Sequence, residues 1–159
     1  MTQADERRQM VTFRVGDDLF AAEIRVVERV LRCSPPRPIP DLPPWMAGVI
    51  DYVGHVLPVI DLRARFELAS ATRPLARVLV VDIGGARVGA VVDEVLEVAT
   101  LTAADISAPP ELFKGLAGAY LQGTFSRNEQ VIVVLDTHAL LTSRERLLLE
   151  QAAAEVPHA

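Results

Sequence analysis

One cysteine, one tryptophan, two tyrosines and five phenylalanines are all that this 159-residue chain holds of those side chains. A lone cysteine, Cys33, excludes an internal disulfide and a thiolate metal cluster, and agrees with a reducing compartment. Beside Leu31 it reads as a small buried hydrophobe. Long apolar runs are missing too. None approaches the about 20 residues of a bilayer-spanning helix, and the amino terminus is polar, with charges of both signs. The expectation is a soluble, cytoplasmic protein with no direct membrane insertion. Net positive charge is also absent. At −5 the chain has no electrostatic reason to approach nucleic acid, which leaves proteins as the expected partners. Of its 16 basic residues only Lys114 is a lysine. Arginine suits interfaces through planar bidentate bonding, and a GC-rich genome produces the same bias.

Residues for chemistry are equally sparse. His55, His138 and His158 are scattered, without HxH, HExxH or CxxC spacing, so no metal site is read. Asp51 and Asp61 fall in neighbouring predicted strands and could form a carboxylate pair, which with His55 would suit a hydrolase or transferase. Aspartates also end strands and cap turns, and Asp136 repeats Asp61. GGARVG lacks the GxGxxG and GxxxxGK[ST] spacings, so its glycines read as a turn needing positive φ. No catalytic residue and no cofactor is assigned.

What the chain does have is a repeat. Met10 to Val30 (MVTFRVGDDLFAAEIRVVERV) matches Val78 to Val98 (VLVVDIGGARVGAVVDEVLEV) at an offset of 68. Gly16 pairs with Gly84, Phe20 with Val88, Ala22 with Ala90, Ile24 with Val92 and Val27 with Val95. Further on, Ala47-Gly48 is echoed by Ala117-Gly118, and VLPVID (Val56 to Asp61) by VIVVLD (Val131 to Asp136), at offsets of 70 and 75. Two similar units of this period cannot form a solenoid and should pack as a pseudo-symmetric pair.

Within the first unit, after a flexible lead over residues 1–9, alternation at Val11, Phe13 and Val15 and the turn at Gly16-Asp17-Asp18 predict a hairpin. Ile24, Val27, Val30 and Leu31 predict a short helical turn passing into a strand. Six prolines between residues 35 and 44 make a stiff connector or a sheet edge, or a polyproline ligand. Pro43 to Met46 resembles a first helical turn. Val49 to Tyr52 and His55 to Asp61 form a strand pair around Gly54, and Asp61 caps a turn over Leu62 to Phe66. Residues 69–76 join the units. In the second, VLVVDI, the Gly84-Gly85 turn and VGAVV precede a proline pair at Pro109-Pro110. Gly118 to Phe125 and Val131 to Asp136 complete the strands, with Ser126 to Gln130 as a hairpin tip. A capping box of Thr142 and Glu145 opens a terminal helix over about 143–155. The fold class is mostly β: two pseudo-repeated five-stranded barrels packed together, about 10–68 and about 77–138, with chain ends open to exchange between them. Val26, Val27, Val91, Val92 and Val95 either fill the space between barrels or line a groove suited to a partner helix.

Phe13 to Ala22, Ile24 to Val30, Gly48 to Arg63 (GVI…VLPVIDLR) and Val92 to Val95 (VDEV) together resemble the CheW-like domain of bacterial chemotaxis, over roughly residues 10–155. The resemblance implies two intertwined SH3-like barrels and a non-enzymatic adaptor. Its partners would be the regulatory domain of a CheA-type histidine kinase and the helical-hairpin tip of a chemoreceptor, met at receptor arrays. It implies a receptor groove at Val27, Gly48 and Val53, and a kinase contact around Gly89, Val91, Asp93 and Val95. Members of the family read N-L-R-G where this chain reads Asp51-Tyr52-Val53-Gly54, so Val53 stands in place of an arginine. That departure implies an alternative chemosensory pathway with its own partners. The alternative is a small-barrel protein that binds nucleic acid or another protein outside chemotaxis.

Overall fold

Each of two five-stranded sheets takes its strands from both halves of the sequence. The structure, a computed structural model, describes residues 6–32, 35–66, 77–108 and 120–155. Its strands are β1 (Arg7–Val15), β2 (Asp18–Glu23), β3 (Val27–Arg32), β4 (Met46–Tyr52) and β5 (His55–Asp61), then β6 (Arg77–Ile83), β7 (Ala86–Val92), β8 (Glu94–Thr102), β9 (Leu121–Arg127) and β10 (Gln130–Leu135). A short helix α1 (Leu62–Arg65) follows β5, and α2 (Ser143–Glu155) ends the described chain. The strand orders are β8-β1-β2-β10-β9 and β3-β6-β7-β5-β4. The chain therefore crosses from the first sheet to the second after β2, and back again after β7.

The sequence repeat reappears as pairing geometry. Val11 pairs with Val98 in one sheet and Val30 with Leu79 in the other, which is one pair seen twice at the offset of 68. The parallel pairs Ala21 with Val134 and Gly89 with Val59 relate in the same way through the offsets of 68 and 75. Even the bulges correspond, between Val11 and Phe13 in one sheet and between Val27 and Arg29 in the other. Each sheet curls, and side chains bridge its two edges at equivalent points. Arg29 of β3 lies 5.9 Å from the Tyr52 ring of β4, while their mates Glu97 and Arg127 form an ion pair at 3.0 Å.

Alternating side chains feed three apolar clusters. Met10, Ala21, Leu101, Phe125 and Val134 fill one barrel, and Ile50, Leu57, Val59, Val78 and Val91 the other. Between the barrels lie Phe13, Phe20, Ile60, Leu79, Val81, Val92 and Leu149 among others. β6 shows the division residue by residue: Val78 and Val80 point into their barrel, Leu79 and Val81 into the shared core. Burying one such side chain contributes about 1.5–3 kcal/mol.

Asp61 accepts the N–H of Arg63 at 2.9 Å, and Asp136 that of His138 at 3.1 Å. Their own N–H groups donate to the carbonyls of Trp45 and Tyr120, both at 2.8 Å, so the duplicated aspartates are caps. In α2 the capping box forms, with Thr142 Oγ1 accepting from Glu145 N at 3.1 Å. Arg146 on α2 donates to the carbonyls of Ile83 and Gly84, docking the helix on the β6–β7 turn.

Some expectations change. β1 begins at Arg7 rather than after residue 9, because pairing with β8 reaches Thr102 opposite Arg7. β8, over a stretch not read as a strand, is held by that same pairing. Pro43 to Met46 is a turn closed by Met46 N–H on the Pro43 carbonyl at 2.9 Å, and β4 starts at Met46 rather than Val49. Within the proline stretch, Arg37 makes an isolated bridge to Val49 and so serves as a sheet edge. Cys33, the joint at 69–76, Pro109-Pro110, Lys114 and Ala117-Gly118 lie outside the described residues.

Candidate functional site

Val53 and Gly54 form the tip between β4 and β5, with φ of 46° and 75°. A β-branched residue in the left-handed region is strained, because its Cβ crowds the following carbonyl. Val53 is nevertheless the most exposed large hydrophobic side chain described, at 69 %. Arg37 and Asp51 pair beside it at 3.3 Å. Gly48, two turns of the pleat back along β4, is shaped by a close approach. At φ 139°, a Cβ there would stand 2.1 Å from the Arg37 carbonyl oxygen. Val27 opens β3, half-buried against the inter-barrel core. Val27 and Gly48 thus sit on the two edge strands of one sheet, across the seam that Arg29 and Tyr52 bridge, and Val53 sits on the turn that follows β4.

The four residues expected at the kinase contact do not share a surface. β7 is a central strand, paired with β6 and β5 and covered on both faces. Val91 is 1 % exposed inside its barrel, and a Cβ at Gly89 would meet Val78 Cγ1 at 2.9 Å. Neither presents a side chain to a partner. Asp93 stands at the crossover from β7 to β8. Its Oδ2 accepts the Gly16 N–H at 2.6 Å, its own N–H donates to the Arg14 carbonyl at 2.9 Å, and Oδ1 faces Arg63 Nη1 at 3.8 Å. With its side chain only 4 % exposed, it ties one barrel's hairpin turn to the other barrel's helix. Val95 is half-buried at the edge of the shared core, next to the exposed Leu96.

The valine question is resolved position by position. Val91 fills a barrel, Val92 fills the inter-barrel core, and Val26, Val27 and Val95 rim that core.

Asp51 and Asp61 do not form a carboxylate pair. Asp51 pairs in register with Val56, at the opposite end of β5 from Asp61, and five residues of strand span about 17 Å. His55 is exposed at the tip with Asp51. Among the described residues, no group of three or more His, Cys, Asp or Glu could hold a metal ion.

A groove that sequence reasoning missed lies around Glu23, at the end of β2. It encloses about 530 Å³ between Arg7, Arg8, Ile24, Arg25 and Ala103, and adjoins a cavity of about 120 Å³ walled by Arg25 and His138. Burial acts to raise the Glu23 pKa, but ion pairs with Arg8 and Arg25 outweigh it and hold the carboxyl below its ordinary value. Only the repeat, by showing Arg25 and His138 as mates of Asp93 and Arg63, carried a signal for this place.

The family model described as CheW-like domain matches residues 9–145. The Myxococcus xanthus protein FrzA is 36% identical over 149 residues, covering 91% of this chain and 92% of FrzA. Chemotaxis protein CheW of Treponema pallidum is 28% identical over 150 residues, covering 91% and 88%. The crystal structure of the scaffolding protein TtCheW from Thermoanaerobacter tengcongensis superposes with a TM-score of 0.79 at 26% identity, covering 88% of this chain and 97% of that one.

Proposed function

This chain belongs to the CheW-like domain family, and from that premise we propose that it is a non-enzymatic adaptor coupling chemoreceptors to a CheA-type histidine kinase. The observation that carries the reading is the extent of the match: family sequence and scaffold fold run together over nearly the whole chain. The chemistry of the surface agrees. Asp61 and Asp136 cap turns, Asp93 is buried at the crossover, and what faces solvent includes apolar Val53 and Leu96. Such side chains suit protein contacts. A nucleic-acid reading would need a basic face, against a net charge of −5.

In this reading the receptor tip packs along the β3 and β4 edges, touching Val53 and Val27, while Gly48 shapes that edge from beneath. The kinase regulatory domain meets the second half at Val95 and Leu96, with Gly89, Val91 and Asp93 supporting β7 and the crossover. Both partners are met in the cytoplasm, at receptor arrays. No described helix is long and apolar enough to cross a membrane. Val53, standing where an arginine is usual, directs the adaptor to a receptor of an alternative pathway with an apolar contact at that point. Titration calorimetry with the neighbouring kinase's regulatory domain and with the matching receptor tip tests the reading. Binding to each is expected, with Val53→Arg weakening the receptor alone and Leu96→Asp the kinase alone. A folded protein that binds neither overturns it.

A further inference from the structure

Features that the fold requires appear in both halves. The aspartate caps, the strand bulges and the left-handed tips at Val53-Gly54 and Asn128-Glu129 are all built twice. So is the close approach at Gly48: at its mate Gly123 a Cβ would stand 2.7 Å from the Ser107 carbonyl oxygen. The contact between Asp93 and Arg63 is built once. Offsets of 68 and 75 lead to Arg25 and His138, which offer no carboxylate. A pairing that one half does without is not demanded by the architecture.

That contact is also incomplete. Asp93 Oδ2 accepts the Gly16 N–H, whereas Oδ1 is, among the described residues, the buried side-chain atom that no protein donor reaches. Arg63 Nη1 stands 3.8 Å from it, about 1 Å longer than a charge-assisted hydrogen bond. A buried carboxylate oxygen left without a donor is costly, and closing that gap removes the cost. The two elements concerned lead to the two expected contact surfaces. Asp93 is the only residue between β7 and β8, directly before Glu94, Val95 and Leu96. Arg63 lies on α1, directly after β5, whose hairpin with β4 turns at Val53. A partner covering Leu96 excludes solvent from the start of β8, and in the lower local dielectric both the unsatisfied oxygen and its attraction to Arg63 weigh more.

We propose that Asp93 and Arg63 are a clasp that stands open in the free protein and closes when the kinase contact at Val95 and Leu96 is occupied, so that occupancy of one surface strengthens binding at the other. This rests on the coupling role proposed above and gives it a means. The two binding events share one bond, and the effect is reciprocal.

Calorimetry on the full chain measures the affinity of the kinase regulatory domain with and without saturating receptor tip. The native protein should bind the kinase domain at least about fivefold more tightly when the tip is present. Arg63→Gln, at an unchanged urea midpoint, should bring that ratio to about one, with each partner alone bound as tightly as by the native chain. Arg63→Lys should keep part of the ratio. A second measurement needs no variant: the Arg63 guanidinium N–H resonances of the native protein should move downfield when the kinase domain alone is added, as a shortened charge-assisted bond requires. Three results each overturn the clasp and leave the adaptor reading standing: both partners binding without mutual strengthening, Arg63→Gln keeping the native ratio, or Arg63 resonances unmoved in the kinase complex. A folded native chain that fails to bind either partner overturns the adaptor reading and the clasp with it.

Discussion

Replacing Gly48 by alanine asks one methyl group to occupy the position of a backbone carbonyl. The added Cβ would lie 2.1 Å from the Arg37 oxygen and 2.8 Å from its carbon. Those are main-chain atoms that cannot rotate aside, so the proline-rich segment must move. Moving it breaks the bridge in which Arg37 N–H donates to the Val49 carbonyl at 2.8 Å and Val49 N–H to the Arg37 carbonyl at 3.0 Å. Each such bond is worth about 0.5–1.5 kcal/mol net. Alanine at φ 139° adds backbone strain of about 1–3 kcal/mol. The sum, about 2–6 kcal/mol, is a large part of the about 5–15 kcal/mol that holds a domain together. Urea unfolding, followed by far-UV circular dichroism and by the fluorescence of Trp45, should show the midpoint falling by at least about 0.7 M, given a slope of about 1–3 kcal/mol per molar urea. Partner binding should then fall only as the folded fraction falls. A Gly48→Ala protein with an unchanged midpoint would refute both the close approach and the supporting role assigned to this glycine.

At the hairpin tip the sign reverses: Val53→Asn relieves a left-handed β-branched residue worth about 1–2 kcal/mol, so the melting temperature should rise by about 2–8 °C, and calorimetric unfolding with no rise contradicts the strain. Arg65 stacks on Trp45 at 4.1 Å, donates to the Leu140 carbonyl and clasps Glu145 with two nitrogens. Arg65→Lys keeps the charge and loses the fork, and should cost about 1–3 kcal/mol in urea unfolding with a shift in Trp45 emission. Unchanged stability and emission would argue against that clasp. Glu23 has a folded-state pKa below its ordinary value. Its contribution is therefore complete above the unfolded pKa, about 4.3, and is lost as pH falls through the lower folded value. The stability gap between the native chain and Glu23→Gln, measured by urea unfolding, should be larger at pH 7 than at pH 3, and an equal gap at both would count against the ion pairs.

Legibility followed the range of the interactions. The hairpins at Gly16 and Gly84-Gly85 were readable because a turn residue and period-2 alternation are local, and α2 because Thr142 and Glu145 form its cap three residues apart. Asp61 as a cap was readable for the same reason. β8 was not: EVLEVATLT leaves most of its side chains half or fully exposed, and what makes it a strand is β1, far away in sequence. The crossover that moves β8 into the first sheet was open from sequence alone, since the repeat fits exchanged and unexchanged strands alike. The resemblance set Gly89 and Val91 at a kinase contact, while VGAVV, without a polar alternate, is how a strand covered on both faces reads. The buried anchoring of Asp93 and the open Arg25 and His138 side depend on which half closes, and no local pattern carries that.

Sedimentation velocity of three components tests the central claim most directly: this protein, the kinase regulatory domain and the receptor tip. The account predicts that kinase domain and receptor tip sediment together only when this protein is present, in one complex holding all three. Separate sedimentation of the two, with this protein folded in the mixture, would contradict it.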